Sequence, residues 1–321
     1  MTDDALPDEA TLPDKAALRD EVTPLGEAAL LDKAVQMFVA ATPPVGAPIE
    51  DWRAGFEAMC AQFELPADAA VEELSLGGVP ARRVTAPGAT GDGVILHFHS
   101  GGYVMGSSWA YREFAHRLSA VAGVPVIVPD YRLAPELTFP HGAVEDALTA
   151  YRALLETQDA RRIVVSGDSA GGGLAMSTLL SLRDAGDPLP VAGFAISPLL
   201  DLAGEGESCV TNDGVDPLID RAMIVDMGKV YIGDLDPKEH PAASPLYGEH
   251  HGLPPLLLLA SDSEVLRDDA VRFAASVRAA GGRAEVNLTE GMIHIWTIFP
   301  FLQRAGAALE DIGGFVRTHL N

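Results

Sequence analysis

Apolar residues in this chain fall into two rhythms, and the change between them divides it. Leu30, Ala34, Phe38 and Ala41 recur at helical spacing, as do Trp52, Phe56, Met59 and Phe63, with Pro43-Pro44 between the two sets. Each predicted helix is apolar on one side, so each must cover something, since neither would stay folded alone. From about residue 70 the period shortens. Residues 71–76 and 81–85 read as strands about a Gly77-Gly78 turn. Short apolar runs then alternate with helical patterns. The runs lie at 94–98, 126–128, 163–166, 191–197, 256–260 and 284–288, and the helices near 109–121, 141–156, 170–184, 265–280 and 302–318. Strands without polar alternation are covered on both faces, so the pattern predicts an α/β chain with a largely parallel central sheet flanked by helices. The interval 199–250 breaks the rhythm. It offers no core strand, only a helical stretch near 217–231, and such an insertion would sit above the carboxyl ends of the strands, where these sheets bind ligands.

Composition narrows the reading. At 321 residues and 48% hydrophobic, the chain can bury a large core. Its longest apolar runs are too short to span a bilayer. The start, Met1-Thr2-Asp3-Asp4, has neither the basic residues nor the apolar stretch of a signal peptide, so the expected compartment is the cytoplasm. Residues 1–27 are acidic, with Pro7, Pro13 and Pro24, and are expected to be loosely attached. The net charge of -24 argues against nucleic acid and anionic membranes as partners. Cys60 and Cys209 have no metal-ligand or redox spacing and read as free packing thiols.

The candidate chemistry begins at Gly167-Asp168-Ser169-Ala170-Gly171, between the apolar run 163–166 and a helix. A G-x-S-x-G turn joining strand to helix lifts the serine Oγ above a sheet, so Ser169 is the candidate nucleophile. The segment lacks the lysine of a P-loop and the spacing of G-x-G-x-x-G. After the run 94–98 comes His99-Ser100-Gly101-Gly102-Tyr103, a glycine-rich loop able to aim backbone N–H groups beside Ser169. Candidate bases downstream are His240, His250, His251, His294 and His319. His294 follows the last predicted strand, where a hydrolase of this order places its base. The others read as solvated or packing residues. Candidate acids are Asp262, Glu264 and Asp268, all after the run 256–260. His97 and His99 share a strand face, but no third ligand has metal spacing, and no metal or cofactor is expected.

These motifs resemble the bacterial hormone-sensitive-lipase family of carboxylesterases. Besides G-D-S-A-G-G, the chain carries Tyr131-Arg132-Leu133-Ala134-Pro135-Glu136, which is similar to the family's Y-R-L-A-P-E, and the segment Gly291 to His294 keeps its G-x-x-H. The family's H-G-G-G is H-S-G-G here, with Ser100 in place of the first glycine. The resemblance covers residues 70–320 and implies an α/β-hydrolase fold with a helical cap. Residues 1–69 would supply the N-terminal part of that cap, and 70–321 the catalytic domain with a cap insertion at about 199–250. It implies oxyanion donors at Gly101, Gly102 and Ala170, loop support from His99, and a structural role for Asp168. The family's D-x-L-x-D is Glu264-Val265-Leu266-Arg267-Asp268, which points to Glu264 as the acid, with Asp262 and Asp268 as alternatives. Tyr103, Trp109, Met223 and Ile293 are candidates for a substrate pocket. The implied substrate is a small-molecule acyl ester of short to medium chain length, and a homodimer is a common family state. An amidase, an acyltransferase, a lipase or a non-catalytic ligand-binding relative are the alternatives.

Overall fold

The centre of the sheet is built from strands with few polar positions. In the computed structural model, which describes residues 24–44 and 46–320, β1 (Ala70–Leu76) and β2 (Val79–Thr85) form an antiparallel hairpin. Gly77 and Gly78 both take positive φ at its turn. The sheet continues through β3 (Val94–Phe98), β4 (Val126–Pro129), β5 (Ile163–Asp168), β6 (Ala192–Ile196), β7 (Leu256–Ser261) and β8 (Ala284–Thr289). Their spatial order is β1-β2-β4-β3-β5-β6-β7-β8, and every pair from β4 to β8 is parallel. Strands β3 to β7 are buried at every position, as expected for strands covered on both faces.

The covering helices are α3 (Arg112–Ala122), α4 (Ala143–Leu155), α5 (Ala170–Ala185), α8 (Arg267–Ala279) and α9 (Gln303–Leu320). Helix α3 packs with α9, and α4 with α5. The chain order reverses between β3 and β5, which lie side by side with Phe98 opposite Gly167. A crevice therefore opens where their carboxyl ends diverge, and the two glycine-rich loops face each other across it.

The remaining helices lie outside the strand–helix alternation. Helices α1 (Pro24–Ala41) and α2 (Ile49–Cys60) pack on each other so closely that a Cβ on Gly55 would meet the Ala41 carbonyl at 2.0 Å. The loose attachment expected of residues 1–27 falls outside the described residues up to 23. Pro24 to Glu27, by contrast, form the first turn of α1. Between β6 and β7 lie the short α6 (Ser208–Thr211) and then α7 (Arg221–Ile232). Helix α7 begins later than its apolar pattern suggests because the Asp220 carboxylate caps the Met223 N–H at 2.7 Å. Among the described residues no helix is long and apolar enough to cross a membrane.

Candidate active site

Ser169 sits at the turn between β5 and α5 with φ 52 and ψ -123, a left-handed conformation that a residue with a side chain adopts only under constraint. The constraint is visible in the glycines two positions to either side. A Cβ on Gly167 would meet the Gly171 carbonyl at 2.1 Å, and one on Gly171 would meet the Phe98 carbonyl at 2.0 Å. The Ser169 N–H donates to the Ile196 carbonyl at 2.9 Å, pinning the turn to β6. The side chain ends at the N-terminus of α5, where partial positive charge gathers.

The structure brings Ser169, His294 and Glu264 together. His294 Nε2 lies 2.9 Å from Ser169 Oγ, and His294 Nδ1 lies 2.9 Å from Glu264 Oε2. The other Glu264 oxygen accepts from the Ser261 N–H at 2.7 Å. Glu264 is fully buried, and that burial raises its pKa above the usual carboxylate range against the pull of His294. The alternative acids are engaged elsewhere. Asp262 accepts from the Gly291 N–H and the Ser263 hydroxyl, each at 2.8 Å. Asp268 pairs with Arg267 and caps the Ser208 N–H. The turns carrying acid and base are tied together, since Ser261 Oγ donates to the Met292 carbonyl at 2.7 Å.

Gly101, Gly102 and Tyr103 are consecutive residues of positive φ. A Cβ on Gly101 would strike the Met105 carbonyl at 2.2 Å, and one on Gly102 would strike Met227 Sδ at 2.2 Å. Ser100 is not among the left-handed residues, which is why a side chain is tolerated where the resembling family has its first glycine. Among the described residues nothing accepts a hydrogen bond from the Gly101 or Gly102 N–H. Ala170, the first residue of α5, follows Ser169 directly. His99 is wholly buried, stacks on Tyr131 at 4.2 Å between centroids, and has Nδ1 2.8 Å from the Ser100 carbonyl. Burial lowers its pKa, so it stays a neutral donor to that carbonyl. Both nitrogens of His97 are engaged by Ser166 and Asp168, leaving neither for a metal.

An apolar cavity opens at Ser169. Its walls come from Phe38, Trp52, Phe56 and Met59 on α1 and α2, and from Met223 and Met227 on α7. The pocket expectation needs correction at three of four residues. Met223 lines the cavity, but Tyr103 turns beneath the loop and stacks on Tyr231 at 3.9 Å, with both rings buried. Trp109 packs under the Arg112 guanidinium at 3.7 Å, and Ile293 is core. Other histidines serve packing: His240 lies against Phe139, and His250 bridges Ser276 and the Pro245 carbonyl. Cys60 and Cys209 are free and buried.

Several participants carried no sequence signal. Asn212 Nδ2 donates to the Asp262 and Glu264 carbonyls, and Asp216 Oδ2 accepts from the Val265 N–H. The 199–250 segment thus clasps the turn that holds Glu264. Ser197 Oγ accepts from the Ile295 N–H beside the base. Tyr111 reaches both Ser100 and Asp168.

Residues 95–298 match a family model described as alpha/beta hydrolase fold. The chain is 42% identical over 226 residues to an acetyl-hydrolase of Streptomyces hygroscopicus, covering 70% of this chain and 75% of the relative. It is 33% identical over 284 residues to the esterase LipU of Mycobacterium tuberculosis, covering 84% and 94%. A crystal structure of an esterase from the bacterial hormone-sensitive lipase family superposes with a TM-score of 0.88 at 39% identity, over 91% of this chain and 99% of that one.

Proposed function

The chain belongs to the α/β-hydrolase family, in its bacterial hormone-sensitive-lipase branch, and on that premise we propose that it is a serine carboxylesterase hydrolysing short- to medium-chain acyl esters through Ser169, His294 and Glu264. The observation that carries the reading is the unbroken line from Glu264 through His294 to Ser169, 2.9 Å at each link, at the mouth of an apolar cavity. Ser169 Oγ attacks the ester carbonyl carbon while His294 Nε2 takes its proton. The Gly101, Gly102 and Ala170 N–H groups receive the oxyanion. Collapse expels the alcohol, protonated by His294, and leaves Ser169 acylated. Water deprotonated by His294 then releases the acid. Glu264 holds the tautomer with hydrogen on Nδ1 and offsets the charge of the imidazolium.

The walls support neutral apolar substrates. Among the described residues no Lys, Arg, Asp or Glu side chain lines the cavity, so a charged acyl group would lose its hydration without gaining a partner there. Met59, Met105, Met223 and Met227 give it flexible walls that suit more than one acyl shape. Helices α1 and α2, with the 199–250 segment, are assigned to the cap over this cavity.

The test is turnover of p-nitrophenyl esters from acetate to palmitate by purified wild type and Ser169→Ala. We expect wild type to favour the shorter esters, and Ser169→Ala to lose at least about 10³-fold in kcat. Substantial activity in Ser169→Ala, or no turnover of any ester by wild type, would sink the assignment.

A further inference from the structure

Beneath the oxyanion loop lies a hydrogen-bonded chain that the three-residue arrangement does not require. Its members are Ser100, Tyr111, Asp168, His97 and Ser166, none more than 1% exposed. The Tyr111 hydroxyl oxygen lies 2.6 Å from Ser100 Oγ and 3.1 Å from the Ser100 backbone N, and bonds to Asp168 Oδ2. A phenol has one proton to give and room to accept two. The carboxylate takes the proton, so the Ser100 N–H and O–H are the two donors into the phenol oxygen. The other Asp168 oxygen lies 3.2 Å from His97 Nε2, and His97 Nδ1 lies 3.0 Å from Ser166 Oγ. Every member therefore has a defined donor or acceptor role, and the chain has one consistent set of protons.

Its two ends explain its use. Asp168 immediately precedes Ser169, and Ser100 immediately precedes Gly101 and Gly102. The Ser100 carbonyl is held as well, by His99 Nδ1 at 2.8 Å. Both peptide groups of Ser100 are thus fixed, and the next two residues, Gly101 and Gly102, line the cavity at Ser169. We propose that Ser100 is a positioning residue: its hydroxyl, acting through Tyr111 on Asp168, fixes the Gly101 and Gly102 N–H groups relative to Ser169 Oγ. A glycine at this position would keep the N–H bond but not the hydroxyl, so the side chain gives this chain a brace that H-G-G-G lacks. The proposal rests on the esterase reading, because it concerns donors to an oxyanion.

Donors aimed at the oxyanion act in the transition state and not on the bound ester. The test therefore separates kcat from KM. Full-length wild type, Ser100→Ala, Ser100→Gly, Tyr111→Phe and the Ser100→Ala/Tyr111→Phe pair are assayed on p-nitrophenyl butyrate. Each is also titrated with an alkyl trifluoromethyl ketone, whose serine adduct carries an oxyanion, and its Tm is measured. Removing the hydroxyl should lower kcat about tenfold with KM changed by less than about twofold, and should weaken the ketone by the same factor. The double variant should lose no more than the worse single, since both act through one chain. Ser100→Gly keeps the assay informative if Ser100→Ala folds poorly, because glycine is the family's own residue there. A kcat within about twofold of wild type in Ser100→Gly, or a lower kcat without weaker ketone binding, overturns the proposal and leaves the esterase reading standing. Wild type that neither hydrolyses the ester nor binds the ketone overturns both.

Discussion

At the Glu264 carboxylate, burial and a basic neighbour pull in opposite directions. Burial favours the neutral acid, whereas His294 and the Ser261 N–H favour the anion, and burial prevails. The functional consequence has a definite sign. Glu264 takes up its proton at a higher pH than an exposed glutamate, and once neutral it no longer offsets the imidazolium. kcat/KM should therefore fall on the acid side, and Glu264→Gln should resemble the protonated enzyme at every pH. We expect that variant to lose about 10³- to 10⁴-fold in kcat, because a side-chain amide cannot hold the working tautomer. Glu264→Asp, one methylene shorter, should retain more, and Asp262→Asn should stay within about threefold of wild type. If Asp262→Asn is the more damaging change, the acid is misassigned. At this scale the meeting of Ser169, His294 and Glu264 was legible, because motif order and spacing are local properties of the sequence. The Tyr111 brace was not, since Tyr111 and its two partners, Ser100 and Asp168, are separated in sequence and meet only after folding. Tyr103 and Ile293 misled for a related reason. Proximity to a motif does not decide which way a side chain turns, and both turned into the core.

Among the elements, α2 lies outside the strand–helix alternation and carries Trp52, Phe56 and Met59 to the cavity. Part of its hold on the body runs through Arg53, beside the buried Phe56 and Met59 and the Ser107 hydroxyl that donates to Glu57. Nε donates to the Val104 carbonyl at 2.8 Å, Nη2 to the Ala134 carbonyl at 3.0 Å, and the guanidinium pairs with both Glu136 oxygens at 2.7 Å. Glu136 is mostly exposed, so solvent screens that pair and it adds little. The carbonyl bonds, further from water, hold more. Arg53→Ala should lower Tm by a few degrees and raise KM about three- to tenfold, with Glu136→Gln much milder on both measures. Equal effects of the two substitutions would return the weight to the ion pair. Arg53 holds the Glu136 pKa down to about 2, chiefly by hydrogen bonding, so the pair is intact throughout an ordinary assay range and is lost only as pH falls towards that value. Helical period revealed α1, α2 and α7 from sequence, short apolar runs revealed the central strands, and the Gly77-Gly78 turn revealed the β1–β2 hairpin. Neither shows what a buried face is buried against. The same stripe that predicts a packed helix also predicts the wall of a cavity, which is why Phe38, Trp52 and Phe56 were legible as helix faces and not as pocket. Strand order was equally hidden, because the antiparallel pairing of β2 with β4 joins segments separated by β3 and α3.

For the whole molecule, a net charge of -24 means that every further deprotonation adds repulsion, so the way buried carboxylates titrate bears directly on stability. Asp269 is the sharpest case. It is fully buried on α8; one oxygen accepts from the Leu200 and Asp201 N–H groups at 2.7 and 2.8 Å, while the other has no partner among the described residues. Burial first, and then the neighbouring Asp201, push its pKa well above the usual carboxylate range. A raised pKa means that the folded state binds the proton more tightly than the unfolded chain. The resulting stability is therefore full at low pH and declines as pH rises through the folded pKa. Glu264 contributes with the same sign. Asp269→Asn keeps the oxygen that receives the two N–H groups and removes the charge. Its Tm advantage over wild type should be smallest on the acid side, below the ordinary carboxylate pKa, and should widen by several degrees as pH rises towards the folded pKa. Added salt at the higher pH should raise the Tm of both proteins by screening the surface, yet leave most of the gap between them, because a buried charge is poorly screened. A Tm difference that stays constant across the pH range would mean that Asp269 is ionised throughout, held by its two N–H donors and by Arg272 across Asp201.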